Sequence, residues 1–363
     1  MHDATTTSSS PAPDAEPSAR VYGSHGSAAP RSPRRRRGGT TAPTAAALPT
    51  VADHPLTRRH YRVATAAIEA FVNLVEMCVR LMIPGALIHA RPRMGKTHAI
   101  DYVMLHLERH HPELLVLRLS CEHHRTEYEG PFFSALLAAA GVRDQTLNSN
   151  AKRRFALMCR LREQLLLRRG HVVVLLCDEA QRLSTHALEW LRDVHDQLGT
   201  QGARLITFLV GQPQLLERKA AYQLAGDEQI VARFMIEQLH FRGITDAKDA
   251  ATCLASYDCS HYPQDGGPTF TQFFLPVAFG AGLRLEHRGA TLWNAFVQAH
   301  AAAQLPGPVE IQMDYFTRAV ESVLLRGPDC DSLGLQLDAA FWERAVAQSG
   351  YIAAQQTVRI PLS

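Results

Sequence analysis

The sequence predicts an α/β protein in which a five-stranded parallel sheet lies between helices, followed by a mainly helical part. Three observations lead to this prediction. Five apolar runs, near residues 86, 115, 173, 206 and 237, alternate with helix-compatible stretches. A loop ending in Gly-Lys-Thr follows the first run, and two carboxylates follow the third. Such alternation favours parallel strands joined by crossover helices, with polar side chains collected where the strands end.

The amino-terminal stretch differs in composition from the rest of the chain. Residues 1–50 are rich in Ser, Thr, Ala, Pro and Gly, and they include a basic run at 34–37. A segment with so few large apolar residues cannot bury enough surface to offset its ordering entropy, so we predict disorder there. Its six arginines and three acids give 6 − 3 = +3, which equals the net charge of the whole chain. The predicted folded part is therefore neutral overall, and any basic surface on it must be local.

The chain shows no sign of a membrane segment. No stretch reaches the roughly 18 apolar residues that span a bilayer, and the amino terminus lacks the apolar core of a signal peptide. The seven cysteines are odd in number and scattered, which is typical of reduced, buried thiols. We therefore expect a soluble, cytoplasmic protein without a membrane partner.

The first predicted strand leads into the loop around which the sequence is organised. Apolar residues at helical spacing predict an amphipathic helix over 56–80, before a strand that begins near Ala86. The loop after this strand closes with Gly95, Lys96 and Thr97, and a helix-compatible stretch follows. This order is that of a P-loop, whose backbone N–H groups and helix N-terminus surround a phosphate. We assign ATP binding to nine residues of this loop: Ala90, Arg91, Pro92, Arg93, Met94, Gly95, Lys96, Thr97 and His98.

Within this loop, Lys96 is expected to reach the β- and γ-phosphates and Thr97 to ligate Mg²⁺. The loop departs from the usual pattern at its first position, where Ala90 replaces a glycine. Alanine fits there only if its φ angle stays negative. The alternative for this stretch is an ordinary Gly-Lys turn that binds no nucleotide.

A second motif lies some eighty residues later. The apolar run 172–177 contains no polar residue and is followed directly by Asp178 and Glu179. An unbroken run of this kind fits a strand buried on both faces of a parallel sheet. Asp178 is expected to hold Mg²⁺ together with Thr97, and Glu179 to polarise the attacking water. The two motifs together predict ATP hydrolysis, whereas the second alone could be a solvated acidic turn.

The remaining elements of the core follow from periodicity. We predict a strand at 114–119, helices at 132–140 and 152–169, and a helix that begins after Ser184 as N-cap. The next buried strand, 205–210, ends beside Gln212, a residue that could sense the γ-phosphate or lie in a surface turn. A last strand is expected near 237, and the sequence beyond it alternates helical stretches with Gly/Pro loops.

Two basic segments are the candidates for contact with double-stranded DNA. One is the loop at Arg125 and Thr126, and the other is the start of the basic helix, at Lys152, Arg153 and Arg154. In a ring of subunits, such elements can line a central pore and contact phosphates without reading bases. A charge run is also a common solvated helix face, and this alternative stays open.

The motifs together resemble a family, the AAA+ ATPases. The likeness rests on the P-loop, the extra strand between the two motifs, the Asp-Glu-Ala-Gln-Arg-Leu run at 178–183 and the Val-Gly-Gln-Pro turn at 210–213. The Asp-Glu-Ala-Gln and Gly-Gln-Pro pieces are most similar to transposition-regulator ATPases of the TniB and TnsC type, over about residues 50–325. Bacterial secretion-associated ATPases carry similar pieces, so an ATPase of a secretion or envelope apparatus is one alternative. A weakly hydrolysing ATP-binding scaffold is another.

The resemblance implies an ATP-dependent assembly. Such a protein forms homo-oligomeric rings or helical filaments on double-stranded target DNA, responds to a target selector and recruits a transposase, and ATP hydrolysis resets it. The resemblance gives Gln212 the sensor position and Arg233 that of an arginine finger, which completes a neighbouring subunit's site, with Arg218 as the alternate. No second sensor arginine can be placed. Composition and the predicted elements divide the chain into a disordered tail (1–50), a nucleotide-binding core (51–245) and a helical lid with a carboxyl-terminal extension (246–363).

Overall fold

A parallel β-sheet forms the centre of the protein. The structure, a computed structural model, describes residues 50–122, 128–143, 147–264 and 266–357. The five strands are all parallel and lie in the order β2-β3-β4-β1-β5. Their bounds are β1 (Gly85–His89), β2 (Leu115–Ser120), β3 (Val172–Asp178), β4 (Arg204–Gly211) and β5 (Glu237–His240). The predicted five-stranded parallel sheet between helices is confirmed, and each strand lies where the sequence placed it.

Helices connect the strands and form most of the carboxyl-terminal part. Those of the first 245 residues are α1 (Ala66–Leu81), α2 (Lys96–His110), α3 (Glu129–Ala139), α4 (Asn150–Arg168), α5 (Thr185–Thr200), α6 (Gln214–Ala225) and α7 (Glu228–Phe234). Those that follow are α8 (Ala247–Cys259), α9 (Phe270–Phe274), α10 (Pro276–Gly280), α11 (Gly289–Ala302), α12 (Met313–Leu325), α13 (Gly327–Cys330), α14 (Ala339–Ser349) and α15 (Tyr351–Thr357). No helix in these described ranges is long and apolar enough to cross a membrane.

Strand β3 shows why the sequence gives this layered fold. All seven of its residues are buried, and alternate side chains point to opposite faces of the sheet. Val173 and Leu175 join the hydrophobic core that includes α4 and α5, whereas Val174 and Leu176 join the core that includes α1 and α2. A strand covered on both faces needs an unbroken apolar run, which is the pattern that predicted it.

The first long helix is shorter than predicted. Helix α1 begins at Ala66, because Thr65 is extended and its side chain accepts a hydrogen bond from the N–H of Ile68 at 3.1 Å. The apolar residues before this cap, among them Leu56 and Val63, pack into the hydrophobic core of the carboxyl-terminal helices. The prediction of helix over 56–65 is therefore wrong, because apolar periodicity in this segment serves tertiary contact rather than a helix face.

The carboxyl-terminal helices have a core of their own. Helix α12 packs on α14, and α11 packs on α8 and α14, around buried aromatic rings such as Phe296, Phe316 and Trp342. The amino-terminal end of α12 approaches the P-loop, because a Cβ built on Gly95 would lie 3.8 Å from the side chain of Met313. The helical part therefore borders the loop, as a lid would.

Candidate functional site

The sheet topology brings the two sequence motifs together. Strand β1 lies between β4 and β5, and β4 separates it from β3. His89, the last residue of β1, pairs with Gly211 of β4, while Asp178 of β3 pairs with Val210. The loops after β1, β3 and β4 therefore meet at one edge of the sheet, the edge at which open α/β sheets bind their ligands.

The loop after β1 has the backbone that tight phosphate loops need. Arg93 and Gly95 have positive φ angles, 67° and 94°, whereas Ala90 does not. The requirement that Ala90 keep a negative φ is therefore met, and the left-handed turns fall on later residues of the loop. Gly95 is also the N-cap of α2, so the first free N–H groups of this helix face the loop.

Lys96 is the cation at the centre of this loop. It is 6% exposed, and its Nζ donates hydrogen bonds to the carbonyl oxygens of Ala90 at 3.0 Å and Arg91 at 2.9 Å. Burial lowers the pKa of Lys96, and the nearby carboxylates of Glu179 and Asp178 partly offset this effect. The ammonium group is thus held inside the loop by carbonyl oxygens, from which it can turn toward phosphate oxygens.

Asp178 is linked to both Thr97 and a basic residue of the edge strand β2. Its Oδ2 accepts from the Thr97 hydroxyl at 3.1 Å and from Arg118 at 2.7 Å. The same guanidinium donates to Asp101 of α2 at 2.6 Å. The side chain of Asp178 is only 7% exposed, so these contacts compensate a nearly buried charge. A hydroxyl and a carboxylate in contact are oxygen ligands of the kind that Mg²⁺ requires.

Glu179 points in a different direction from Asp178. Its φ angle is 56°, a left-handed conformation, and its N–H donates to Asp178 Oδ1 at 3.0 Å. Its Oε2 accepts from the side-chain amide of Gln181 at 2.6 Å and from that of Gln212 at 3.3 Å. Arg182 lies 3.9 Å from the same oxygen. The carboxylate is therefore held on Oε2 by two amide donors with the Arg182 guanidinium nearby, whereas Oε1 accepts no hydrogen bond from the described residues.

A cavity of about 400 Å³ opens in front of the loop. Its apolar wall includes Val63, Ile68, Phe241 and Met313, and Glu179 lies at its polar end. The combination of an apolar wall with convergent polar groups is a common form of ligand site, and here a helix N-terminus and a lysine provide groups that suit phosphate. The residues present fit a nucleotide with Mg²⁺. The loop members of the lining are Pro92, Arg93, Met94, Gly95, Lys96, Thr97 and His98.

The lid side of this cavity is acidic. Arg91 forms an ion pair with Glu310 at 3.1 Å, and Arg93 forms one with Asp314 of α12 at 3.1 Å. The Asp314 N–H also donates to the carbonyl of Arg93 at 3.3 Å, and the Asp314 side chain pairs with Arg318 at 2.9 Å. Two arginines of the loop are thus tied to acids next to and on α12, the helix that begins the predicted lid side of the cavity, so the positions of the loop and of α12 are coupled.

The two candidates for an arginine finger lie in different surroundings. Arg233, in α7, is ion-paired with Asp196, and its carbonyl lies against Gly85 at the amino end of β1, away from the loop of its own chain. Arg218 donates to the carbonyls of Gln181 and Leu183 and to the hydroxyl of Tyr222. Arg218 is therefore fixed within its own subunit.

The basic candidates for DNA contact also lie in different surroundings. Among the described residues, the side chains of Lys152 and Arg153 donate hydrogen bonds to nearby asparagines at the start of α4. Arg154 instead bridges Glu129 and Asp193 and lies 4.9 Å from the Phe133 ring centre. A DNA contact by Arg154 would have to break both ion pairs. Arg125 and Thr126 lie outside the described residues.

The structure adds residues that sequence reasoning missed. Gln181 belongs to the Asp-Glu-Ala-Gln run, which served only as a sign of family likeness, yet its side chain contacts Glu179. Arg118 lies within strand β2, and a charged residue inside an otherwise apolar strand was the available signal. Asp314 gave none, because an acid in the first turn of a helix is common.

Comparisons with known proteins identify the architecture. Residues 85–218 match the family described as an AAA domain. The Aeropyrum pernix ORC2 protein in its ADPNP-ADP complexes is similar in structure, with a TM-score of 0.51 and 15% identity over 81% of this chain and 70% of that chain. Lower TM-scores are found for the ORC1 protein of Aeropyrum pernix in complex with DNA (0.46, 16% identity, 82% and 68% covered) and for domain III of Thermotoga maritima DnaA (0.40, 10%, 80% and 95%). No curated protein matches this sequence. The fold is that of an AAA+ P-loop ATPase.

Proposed function

We propose that this protein is a Mg²⁺-dependent ATPase that acts as a nucleotide-controlled switch. The observation that carries the proposal is the convergence of Lys96, Thr97 and Glu179 on one cavity, with Asp178 behind them as the acceptor of hydrogen bonds from the Thr97 hydroxyl and the Glu179 N–H. Each residue type matches a separate requirement of phosphoryl transfer: a mobile cation, oxygen ligands for the metal and a base for water. The similar ORC2 structure holds ADPNP and ADP, which supports the choice of nucleotide.

The residues would divide the reaction as follows. The N–H groups at the start of α2 and the Lys96 ammonium would bind the β- and γ-phosphate oxygens. Thr97 and Asp178 would hold Mg²⁺, which neutralises phosphate charge when bound. Glu179 would accept a proton from the attacking water through its less occupied carboxylate oxygen, Oε1. Arg233, which faces away from its own loop, would complete the site of a neighbouring subunit.

We further propose that ATP controls assembly on double-stranded DNA in the regulation of transposition. The support is the resemblance of the 178–183 and 210–213 segments to transposition-regulator ATPases, together with two cations at the start of α4, the exposed Lys152 and the half-buried Arg153. Several subunits would each contribute a few phosphate contacts, so binding would require the assembled oligomer and tolerate any sequence. A transposase and a target selector would be the protein partners.

The ATPase proposal is tested with two site variants and a control. Lys96→Ala should abolish nucleotide binding, because the loop loses its cation. Glu179→Gln should retain ATP affinity while turnover falls on the order of 10²-fold, because the amide cannot accept the proton. Lys219→Ala removes a lysine outside the cavity and should change neither. The measurements are equilibrium binding of a fluorescent ATP analogue and steady-state phosphate release. Full affinity in Lys96→Ala, or full turnover in Glu179→Gln, would refute the proposal.

The DNA proposal is tested by electron microscopy with duplex DNA, with and without a non-hydrolysable ATP analogue. Rings or filaments should form on DNA only with the analogue. Lys152→Ala/Arg153→Ala should weaken DNA binding and reduce the slope of log affinity against log salt by about one unit per lost phosphate contact. A chain that lacks residues 1–50 is the comparison. If only the truncation weakens DNA binding, the basic tail and not α4 supplies the phosphate contacts. If no assemblies form on DNA, the proposal is rejected.

A further inference from the structure

A short hydrogen-bond chain connects the Glu179 carboxylate to the end of strand β4. The Gln181 side chain donates from Nε2 to Glu179 Oε2 at 2.6 Å. Its Oε1 accepts from the backbone N–H of Gln212 at 3.0 Å. Both ends of the Gln181 amide are thus used, one on the carboxylate and one on the main chain of the strand next to β3. An amide bonded at both ends has a fixed orientation, because exchange of its oxygen and nitrogen would break both bonds.

Gly211 supplies an independent sign that this position is built for the Gln181 side chain. A Cβ at Gly211 would clash with Gln181 Oε1 and would come 2.7 Å from Cδ1 of Leu215. The φ angle of Gly211 is not positive, so glycine is not needed there for backbone conformation. Gly211 instead leaves space for the Gln181 side chain, directly beside the Gln212 N–H that donates to it.

The Glu179 backbone explains why such support is needed. Glu179 has a left-handed φ angle of 56° at the end of β3, and its side chain is about one-third exposed. A carboxylate on a turn at the edge of a cavity has several rotamers, and each misdirected rotamer removes the base from the water. The Gln181 amide selects one rotamer, and the longer 3.3 Å contact from Gln212 supports the same oxygen.

We propose that Gln181 is a positioning residue for the proposed hydrolysis reaction: it fixes the Glu179 carboxylate against β4, in the space that Gly211 leaves open. This inference rests on the proposed ATPase function and deepens it. It assigns a task to the fourth residue of the Asp-Glu-Ala-Gln run and a reason for the glycine of the Gly-Gln-Pro turn.

The test removes the Gln181 contact in two different ways. Gln181→Met keeps the length of the side chain without donor or acceptor, and Gly211→Ala displaces Gln181 without changing it. Each should lower kcat by about 10- to 100-fold, while ATP affinity stays near that of the parent. The melting temperature should stay near that of the parent in Gln181→Met and fall in Gly211→Ala, because the added Cβ also meets Leu215. In the Gln181→Met background, Gly211→Ala should lower kcat no further than about twofold, because the contact is already lost. Gln223→Met, on the exposed side of α6, is the matched control.

The split between kcat and ATP affinity separates positioning from general damage. Loss of the Gln181 contact should lower kcat while the Kd for the ATP analogue stays within about twofold, whereas general damage to the site should lower kcat and weaken binding together. Gln181→Glu, which places a carboxylate beside Glu179, should lower kcat at least as much as Gln181→Met, because like charges repel each other. Unchanged kcat, or parallel losses of affinity and kcat, would overturn the inference. Glu179→Gln is the reference variant. If Glu179→Gln retains full turnover, the proposed function fails. If Glu179→Gln loses turnover but the Gln181 variants retain it, only this inference fails.

Discussion

Replacement of Arg118 by methionine tests how the buried charge of Asp178 is compensated. Arg118 donates to Asp178 at 2.7 Å and to Asp101 at 2.6 Å, and its side chain is 27% exposed. Asp178 would keep only the Thr97 hydroxyl and the Glu179 N–H as donors. A hydrogen bond to a charged group contributes about 1.5–3 kcal/mol, and partial exposure favours the lower part of that range. We expect the free energy of unfolding of the nucleotide-free protein to fall by about 2 kcal/mol.

Mg²⁺ should reverse this loss, because the metal brings the positive charge that Arg118 supplied. At a fixed concentration of a non-hydrolysable ATP analogue, the Mg²⁺ concentration that gives half of the maximal stabilisation should be about tenfold lower in Arg118→Met. A tenfold change in affinity corresponds to about 1.4 kcal/mol, similar to the loss without metal. The assay is urea denaturation across a Mg²⁺ titration, with Arg80→Met, an exposed arginine of α1, as control. An unchanged or higher Mg²⁺ requirement would refute the reasoning and leave Arg118 a role in orienting Asp178.

Three further predictions follow from other contacts. Asp314→Asn should weaken the ion pair between Arg93 of the loop and the predicted lid. Protease cleavage of the lid in the nucleotide-free protein should then accelerate several-fold. Equal cleavage rates in the variant and the parent would show that Arg93 does not hold the lid. Burial lowers the pKa of His54 from 6.5 to about 4, so the unfolded chain binds more protons between these values, and stability should fall by up to about 3 kcal/mol as pH drops from 6.5 to 4. His54→Asn, which keeps an acceptor for the Leu56 N–H, should remove most of this slope in urea denaturation at pH 7 and pH 5. Lys96→Arg should bind nucleotide at least tenfold more weakly, because a planar guanidinium does not fit between the carbonyls of the loop, and full affinity would mean that charge alone suffices.

The features predicted correctly from sequence are those that depend on neighbours in the chain. Gly95, Lys96 and Thr97 form a phosphate loop through their spacing after a strand, and the run ending at Asp178 is a buried strand because every residue in it is apolar. The N-cap at Ser184 was predicted for the same reason, since a cap acts within one turn and its hydroxyl accepts the Ala187 N–H at 3.0 Å. These elements needed no knowledge of strand order.

The features that sequence reasoning missed depend on which strands become neighbours. Arg118 reaches Asp178 because β2 pairs with β3 in a register that sets Arg118 opposite Leu176. The double ion pair of Arg154 with Glu129 and Asp193 joins three separate helices, so a basic run in the sequence could not reveal it. Such contacts are fixed by tertiary packing. A count of charges along one helix treats every cation as available to DNA, because it does not show which cations are already ion-paired.

The adjacent residues Asp178 and Glu179 show how a strand end can divide two identical chemical groups between two tasks. Asp178 is still extended and paired in β3, so its carboxylate faces Thr97 and Arg118. The positive φ at the next residue turns the chain, and the Glu179 carboxylate faces Gln181 instead. A left-handed non-glycine residue costs on the order of 1 kcal/mol, and it persists where surrounding contacts determine it. Without that turn, pleating would direct the two side chains to opposite faces of the sheet, and Glu179 would leave the cavity edge. The strain at Glu179 is therefore what keeps the proposed metal ligand and the proposed base on one site.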